Sequence, residues 1–198
     1  LTSSLPAPHV IARDFGPLVA EQRLLGWMSR PEEQNLIERT GMAGALPELG
    51  DGGGFGVSVT NGGNSKIDYF LERDVEVVLD TGAGSSAREP RLVAEVVLTN
   101  TAPSDGVPDY VIGNAFGLPR GTSRSLVSFY GPPGLVLAER DGVPIDLQEF
   151  AEAGWSGYRD YFVFGPGESS TFRLEFSLGP AALAADEPHV YLQPLARP

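Results

Sequence analysis

The stretch S-T-F-R-L-E-F-S-L, from Ser170 to Leu178, decides the fold because apolar and polar residues alternate along it without a break. Phe172, Leu174, Phe176 and Leu178 share one parity, and the polar residues between them share the other. Side chains two positions apart point to the same side of a β-strand. The stretch is therefore predicted to be a strand with one face in an apolar core and the other in water.

Two more stretches extend this pattern. From Ile67 to Leu79 apolar residues keep one parity, interrupted only by Arg73, which predicts a long strand from Lys66 to Asp80. Leu92–Thr99 is apolar on both parities, as in a central strand. Shorter strands are predicted at Phe55–Thr60, Leu126–Tyr130, Leu135–Glu139, Val143–Ile145, Tyr158–Phe164 and Val190–Gln193.

Turn residues join these strands. Asp141-Gly142 predicts a hairpin between Leu135–Glu139 and Val143–Ile145. Gly165-Pro166-Gly167 predicts a second hairpin, between Tyr158–Phe164 and Ser170–Leu178. Many strands joined by glycine and proline turns predict a mainly β protein, an immunoglobulin-like antiparallel β-sandwich.

The chain is predicted to divide at its glycine-rich joint, with a helical segment at 1–50 and the sandwich at 51–198. The joint, Pro47–Gly54, lacks the spacing of a phosphate loop and precedes a strand, which indicates a linker. We expect the N-terminal segment to dock on the sandwich, because its apolar residues would not suit a free tail.

Residues 1–50 contain signals for two helices. Asp14 is predicted to cap a first helix, and Leu24–Met28 reads either as a buried strand or as the end of that helix. Ser29 and Glu32 form a capping-box pattern for a second helix that ends at Gly41. This second helix is expected to turn Leu36 and Ile37 inward.

Composition excludes several classes of function. The formal net charge is −12 and the basic residues are scattered, which argues against nucleic acid as a partner. There is no cysteine, so disulfides, thiolate catalysis and cysteine-bound metals are excluded. No apolar run of about 18 residues occurs, so no membrane span is expected. The sequence suggests no cofactor or metal.

Candidate catalytic groups are sparse. His9 and His189 are the two histidines, and no Gly-x-Ser-x-Gly motif accompanies them, so neither is predicted to act as a catalytic base. Asp105 and Asp109 share one loop. A second acidic group has a spacing that suits one face of a short helix, at Asp146, Glu149 and Glu152.

The loop from Asn100 to Gly121 is the most distinctive stretch, and Asn100-Thr101 is expected to close the strand before it with an Asx turn. It is either a recognition loop on a rigid scaffold or a structural crossover that buries Tyr110 and Ile112. We favour the crossover, with Asp109 accepting backbone N–H groups. The candidates for binding are Asp105, Asp109, Tyr110 and Asn114.

The same residues resemble a family. The chain is similar to the C-terminal part of domain-of-unknown-function family 4012 in the strings Lys66–Leu71, Leu98–Pro103, Pro108–Asn114 and Leu118–Thr122, with Pro31–Gln34 and Ala43–Pro47 resembling the preceding part. The resemblance implies a membrane-anchored envelope protein of GC-rich Gram-positive bacteria. It carries over no activity and no catalytic residue.

These observations lead to two expectations from different classes. The first is a non-enzymatic, extracytoplasmic module of a cell-envelope protein, structural or binding, anchored through a membrane segment upstream of this chain. Its partner would be an envelope polymer or protein. The alternative is a carboxylate-dependent glycan hydrolase or another envelope-polymer enzyme. A cleft with two carboxylates of perturbed pKa would favour the enzyme.

Overall fold

The computed structural model describes residues 7–46, 53–81, 89–179 and 188–197. The chain divides into two compact units, Leu1–Leu46 and Pro47–Pro198. The boundary predicted after residue 50 and most of the glycine-rich joint fall at 47–52, outside the described residues. Docking of the N-terminal segment stays a prediction.

The first unit contains helices α1 (Pro8–Ala20) and α2 (Pro31–Arg39). Helix α1 begins well before Asp14, so Asp14 does not cap it. Leu24–Met28 is neither helix nor strand.

The capping box predicted for α2 is wrong. Arg30, not Ser29, is its N-cap residue, and no side chain caps it. Pro31 at the first helical position has no N–H to satisfy. The side-chain oxygen of Gln34 instead accepts a hydrogen bond from the Met28 N–H at 2.9 Å.

Helix α2 buries one apolar residue rather than the predicted two. Ile37 packs beside Gly26, whereas Leu36 is 54% exposed. The stop at Gly41 is confirmed, because Thr40 caps the helix and Gly41 has a left-handed backbone at φ 75°.

The second unit is the predicted β-sandwich. Among its described residues are ten strands: β1 (Gly54–Asn61), β2 (Leu71–Asp80), β3 (Arg91–Asn100), β4 (Ser123–Gly131), β5 (Leu135–Arg140), β6 (Val143–Pro144), β7 (Gln148–Glu152), β8 (Trp155–Phe164), β9 (Ser169–Ser177) and β10 (His189–Leu192). One sheet has the order β10-β1-β4-β8-β7 and the other β2-β3-β9-β5-β6. All pairs are antiparallel except β1 with β10, which run parallel.

The alternating residues form the core as predicted. Phe172, Leu174 and Phe176 on β9 are fully or almost fully buried, and β3 lies between β2 and β9 as a central strand. Residues of both sheets contribute to this single core, including Phe55, Val57, Leu92, Val96, Leu98, Phe129 and Phe164. Each such side chain contributes about 1.5–3 kcal/mol on full burial.

The first turn of the predicted long strand is a 3-10 helix. Residues Ile67–Phe70 form this helix, and β2 begins only at Leu71. Side chains three positions apart lie on the same side of a 3-10 helix. Ile67 and Phe70 therefore both enter a small apolar cluster, while Tyr69 is exposed. The strand predicted for this segment was wrong because Tyr69 and Phe70 are both aromatic. Tyr69 follows Ile67 at the two-residue spacing of a strand, whereas Phe70 follows it at the three-residue spacing of a 3-10 helix.

The hairpin predicted between β8 and β9 does not exist. Strand β8 pairs with β4 and β7, whereas β9 pairs with β3 and β5 in the other sheet. Their apolar faces oppose each other across the core, where the rings of Phe162 and Phe172 lie 4.8 Å apart. The turn Gly165–Gly167 thus carries the chain from one sheet to the other. The hairpin predicted at Asp141-Gly142 is confirmed between β5 and β6.

The structure also corrects two predictions about acidic residues. The segment expected as a short acidic helix contains strand β7, so Glu149 and Glu152 point to opposite faces of the sheet. Glu175, on the polar face of β9, is buried rather than in water, at 7% exposure. Its carboxylate accepts hydrogen bonds from Arg91 at 2.7 Å and Arg173 at 2.6 Å.

Candidate functional site

Two connecting segments cover one end of the sandwich. Residues 62–70 join β1 to β2, and residues 101–122 join β3 to β4 and contain the single helical turn α3 (Asp109–Ile112). Beneath them is a second apolar cluster, separate from the main core, built on Ile67, Ala102 and Ile112. These side chains anchor both segments to the scaffold.

Backbone hydrogen bonds fasten the two segments to each other. The Lys66 N–H donates to the Tyr110 carbonyl at 3.2 Å, and the Ala115 N–H donates to the Gly63 carbonyl at 3.2 Å. Because an anchored loop loses little further conformational entropy when a ligand binds, such a surface suits recognition.

Asn100 fixes the base of the longer segment. Its side-chain oxygen accepts a hydrogen bond from the Ala102 N–H at 3.1 Å, which is the predicted Asx turn. Its amide group donates to the carbonyls of Gly121 at 2.7 Å and Phe164 at 2.9 Å. One buried side chain thus joins the start of the segment, its end and the turn between β8 and β9.

The structure contradicts the buried plug expected at Tyr110. Ile112 is fully buried as predicted, but Tyr110 is 67% exposed. The reason is the helical turn α3, which directs residues two positions apart to different sides. Asp109 also differs from expectation: its carboxylate accepts a hydrogen bond from the Arg120 guanidinium rather than from backbone N–H groups.

The other two candidate residues have separate environments. Asn114 organises the following turn, since its side-chain oxygen accepts from the Phe116 and Leu118 N–H groups and its amide donates to the Leu118 carbonyl. The Asp105 carboxylate accepts from the neighbouring Gly106 N–H at the exposed part of the loop. Asp109, Tyr110 and Asn114 line one surface groove, and Asp105 does not.

The groove has a volume of about 570 Å³ and is lined by Asn64, Asp109, Tyr110, Gly113, Asn114, Ala115, Leu118 and Arg120. A second depression of about 430 Å³ adjoins it and is lined by Asn61, Asn64, Ser65, Lys66, Asp68 and Tyr110. Tyr110 and Asn64 belong to both. We call the two together the loop-end site. The exposed tyrosine stands where they meet.

Asp68 is the carboxylate with a perturbed pKa at this site. Burial raises the pKa of Asp68 above its ordinary value, and a hydrogen bond from the Asn61 side chain partly offsets this effect. The contribution of residues 61–68 was missed because residues from Lys66 onward were interpreted as strand. The turn residues Asn61-Gly62-Gly63-Asn64 were the available signal for an irregular segment.

The remaining candidates lie elsewhere. His9 is in α1 and His189 is in β10, and neither lines the loop-end site. Within the described ranges no group of three or more histidine and acidic side chains is arranged to hold a metal ion. No helix in the described part of the chain has the length and apolarity needed to cross a membrane.

Comparison with known proteins finds no matching family model, no matching curated protein and no matching solved structure. The resemblance to family 4012 therefore stays a prediction.

Proposed function

We propose that the sandwich is a non-enzymatic, extracytoplasmic binding module of a cell-envelope protein, and that the loop-end site takes a polymer of the envelope. The observation that carries the proposal is the position of Tyr110. It stands exposed between two polar depressions, on a segment anchored from below by Ile112. The similarity to family 4012, which implies an anchored envelope protein, supports the location.

The lining of the site suits a polar ligand that has an apolar face. A tyrosine ring offers a large, rigid contact surface with a polar end. Amide groups of Asn64 and Asn114 lie beside it, with the ion pair of Asp109 and Arg120. Aromatic surface combined with a few placed polar groups is the usual composition of a ligand site.

The second candidate is the hydrolase. Asp68 favours it, because a carboxyl group with a raised pKa can act as a general acid. A glycosidase of the usual type needs a second carboxylate across the cleft. At the loop-end site that role would fall to Asp109, which is paired with Arg120. Release of reducing sugar from envelope polymers, abolished in Asp68→Asn, would identify the enzyme instead.

Cosedimentation tests the binding proposal. The purified chain is mixed with insoluble cell-wall material from a GC-rich Gram-positive bacterium, and the bound fraction is measured. We expect binding that Tyr110→Ala weakens roughly tenfold or more, as for a central aromatic contact. Tyr161→Ala is the matched control, because Tyr161 is exposed but lines neither depression. Absence of binding by the unaltered chain, or equal loss in both variants, would contradict the proposal.

A further inference from the structure

Strand β2 lies at one edge of its sheet. In the described part of the chain it pairs with β3 alone, antiparallel and in an unbroken register along its whole length. In such a pair, alternate residues direct their backbone N–H and C=O groups toward the partner and away from it. The groups that point away from β3 form a row that another strand can pair with.

The C-terminal residues contact only the beginning of β2. Arg73 donates a hydrogen bond to the Gln193 carbonyl at 2.9 Å, and the Arg197 guanidinium lies 3.6 Å from the Glu72 carboxylate. From Asp74 to Leu79, hydrogen bonds within the described residues join the strand to β3 only. We call Asp74–Leu79 the open edge. Its sequence contains neither proline nor lysine and its register has no bulge, although proteins commonly block an edge in these ways.

One face of the open edge is apolar. Val75, Val77 and Leu79 pack against the core from its margin, and each keeps part of its surface accessible. A strand paired with the open edge would direct every second side chain to the same margin. Apolar side chains there would remove the remaining accessible surface from water, which favours association.

The other face of the open edge is acidic and accessible. Asp74 and Glu76 are exposed, and Glu76 stands directly opposite Glu95 of β3, which is exposed as well. None of these three carboxylates forms an ion pair within the described residues. Like charges directly opposite each other destabilise a sheet, whereas opposite charges stabilise it. Basic side chains on an added strand would therefore be favoured beside Asp74 and Glu76.

We propose that the open edge binds an extended segment of another protein in which basic and apolar residues alternate. This inference is independent of the proposed function. The segment adds a strand to the sheet through backbone hydrogen bonds with β2. Its basic side chains lie beside Asp74 and Glu76, and its apolar side chains lie beside Val75 and Val77.

A second copy of this chain does not suit the open edge. If two β2 strands paired side by side with their faces aligned, the acidic residues of one would lie next to those of the other. The formal net charge of −12 adds repulsion at longer range. The same charge attracts a basic segment and accelerates its encounter with the edge. Charge complementarity therefore selects a basic partner.

Two synthetic peptides test the pairing. The first has about eight residues in which lysine and valine alternate, and the second has the same residues with all lysines before all valines. Both carry the same charge, but the alternating peptide alone presents lysines on one face of a strand and valines on the other. Fluorescence anisotropy of labelled peptides measures their affinities for the purified chain. We expect the alternating peptide to bind roughly tenfold more tightly or better.

Two double variants locate the binding. Asp74→Asn with Glu76→Gln should weaken binding of the alternating peptide about fivefold or more, because two charge pairs are lost. The matched control is Asp105→Asn with Glu149→Gln, which removes the same charge from exposed positions outside β2. The control should bind within about twofold of the parent, since both double variants have the same net charge.

Hydrogen exchange distinguishes strand addition from a purely electrostatic contact. Backbone pairing slows the exchange of amide hydrogens, so the alternating peptide should slow exchange within Asp74–Leu79. No binding, equal affinity for the two peptides, equal losses in the two double variants, or unchanged exchange at the open edge would each overturn the inference. So would a dimer of the chain alone whose edge amides are already protected, because a second copy would then occupy the edge.

Discussion

Asn100 is the side chain whose loss should most damage the end of the sandwich that carries the site. It is 1% exposed and forms hydrogen bonds with four backbone groups within 3.1 Å, namely the carbonyls of Gly121, Phe164 and Gly165 and the N–H of Ala102. The amide has two hydrogens, so at most two of its three carbonyl contacts are well aligned. Truncation to alanine removes about three useful bonds and leaves their partners buried.

The expected cost follows from those partners. A buried group left unpaired costs about 1–3 kcal/mol, and the three losses share one small space, so Asn100→Ala should lower the free energy of unfolding by about 3–5 kcal/mol. Asn114→Ala is the matched control. Asn114 also makes four hydrogen bonds to the backbone. Its position is only partly buried, so water can replace these bonds, and we expect the free energy of unfolding to fall by about 1 kcal/mol.

Urea denaturation measures both losses. In a Trp27→Phe background, the tryptophan fluorescence comes from Trp155 alone, which is buried in the sandwich. A third variant, Asn100→Asp, keeps the shape but turns a carboxylate toward carbonyl oxygens. It should be at least as unstable as the alanine variant at pH 7 and recover in acid, where protonation removes the charge. The reasoning is refuted if Asn100→Ala costs no more than Asn114→Ala.

Two further predictions concern charge and backbone. Hydrogen bonds from Arg173 and Arg91 hold the pKa of Glu175 below its ordinary value, so the stability it contributes is present above about pH 4.5 and lost as pH falls through the depressed value. Glu175→Gln should therefore cost about 1–3 kcal/mol at pH 7 and flatten the acid limb of a stability–pH curve; a parallel curve would contradict this. Gly121→Ala should cost about 3 kcal/mol, because φ is 76° and the new methyl would strike the Pro103 carbonyl. Gly117→Ala is the control, because Gly117 also has a left-handed backbone at φ 69° but lies in open space, and it should cost about 1 kcal/mol. Chemical denaturation measures both variants, and an equal loss of unfolding free energy in the two would rule out the clash.

The sequence predicted those strands whose pattern can be read in only one way. Phe172, Leu174 and Phe176 could not all be buried by a helix, since helical side chains repeat every 3.6 positions rather than every two. Ile67-Asp68-Tyr69-Phe70 admits both periods, and the apolar cluster beneath it selected the 3-10 helix. The local sequence pattern therefore sufficed to predict an element wherever the residues fit the repeat of a strand but not that of a helix.

The candidate site was predicted only in part. The loop from Asn100 to Gly121 was singled out as distinctive, and three of its four candidate residues line the groove. Tyr110 was placed inside when it lies outside, because its ring was counted as apolar material together with Ile112, while the turn of α3 directs the two side chains to opposite sides. Asn64 and Asp68 were missed, since their place beside Tyr110 depends on contacts between two segments distant along the chain.

By itself the sequence determined the mainly β architecture, the inward faces of its regular strands and the Asx turn at Asn100. These depend on side chains a few positions apart, whose relation is set by backbone geometry alone. Tertiary structure decided that β8 and β9 belong to different sheets, that Glu175 is buried between two arginines, and that Tyr110 stands beside Asp68. Apart from the Arg173 contact, which lies two positions along β9, these relations join residues far apart along the chain, where packing and burial rather than local pattern determine which groups meet.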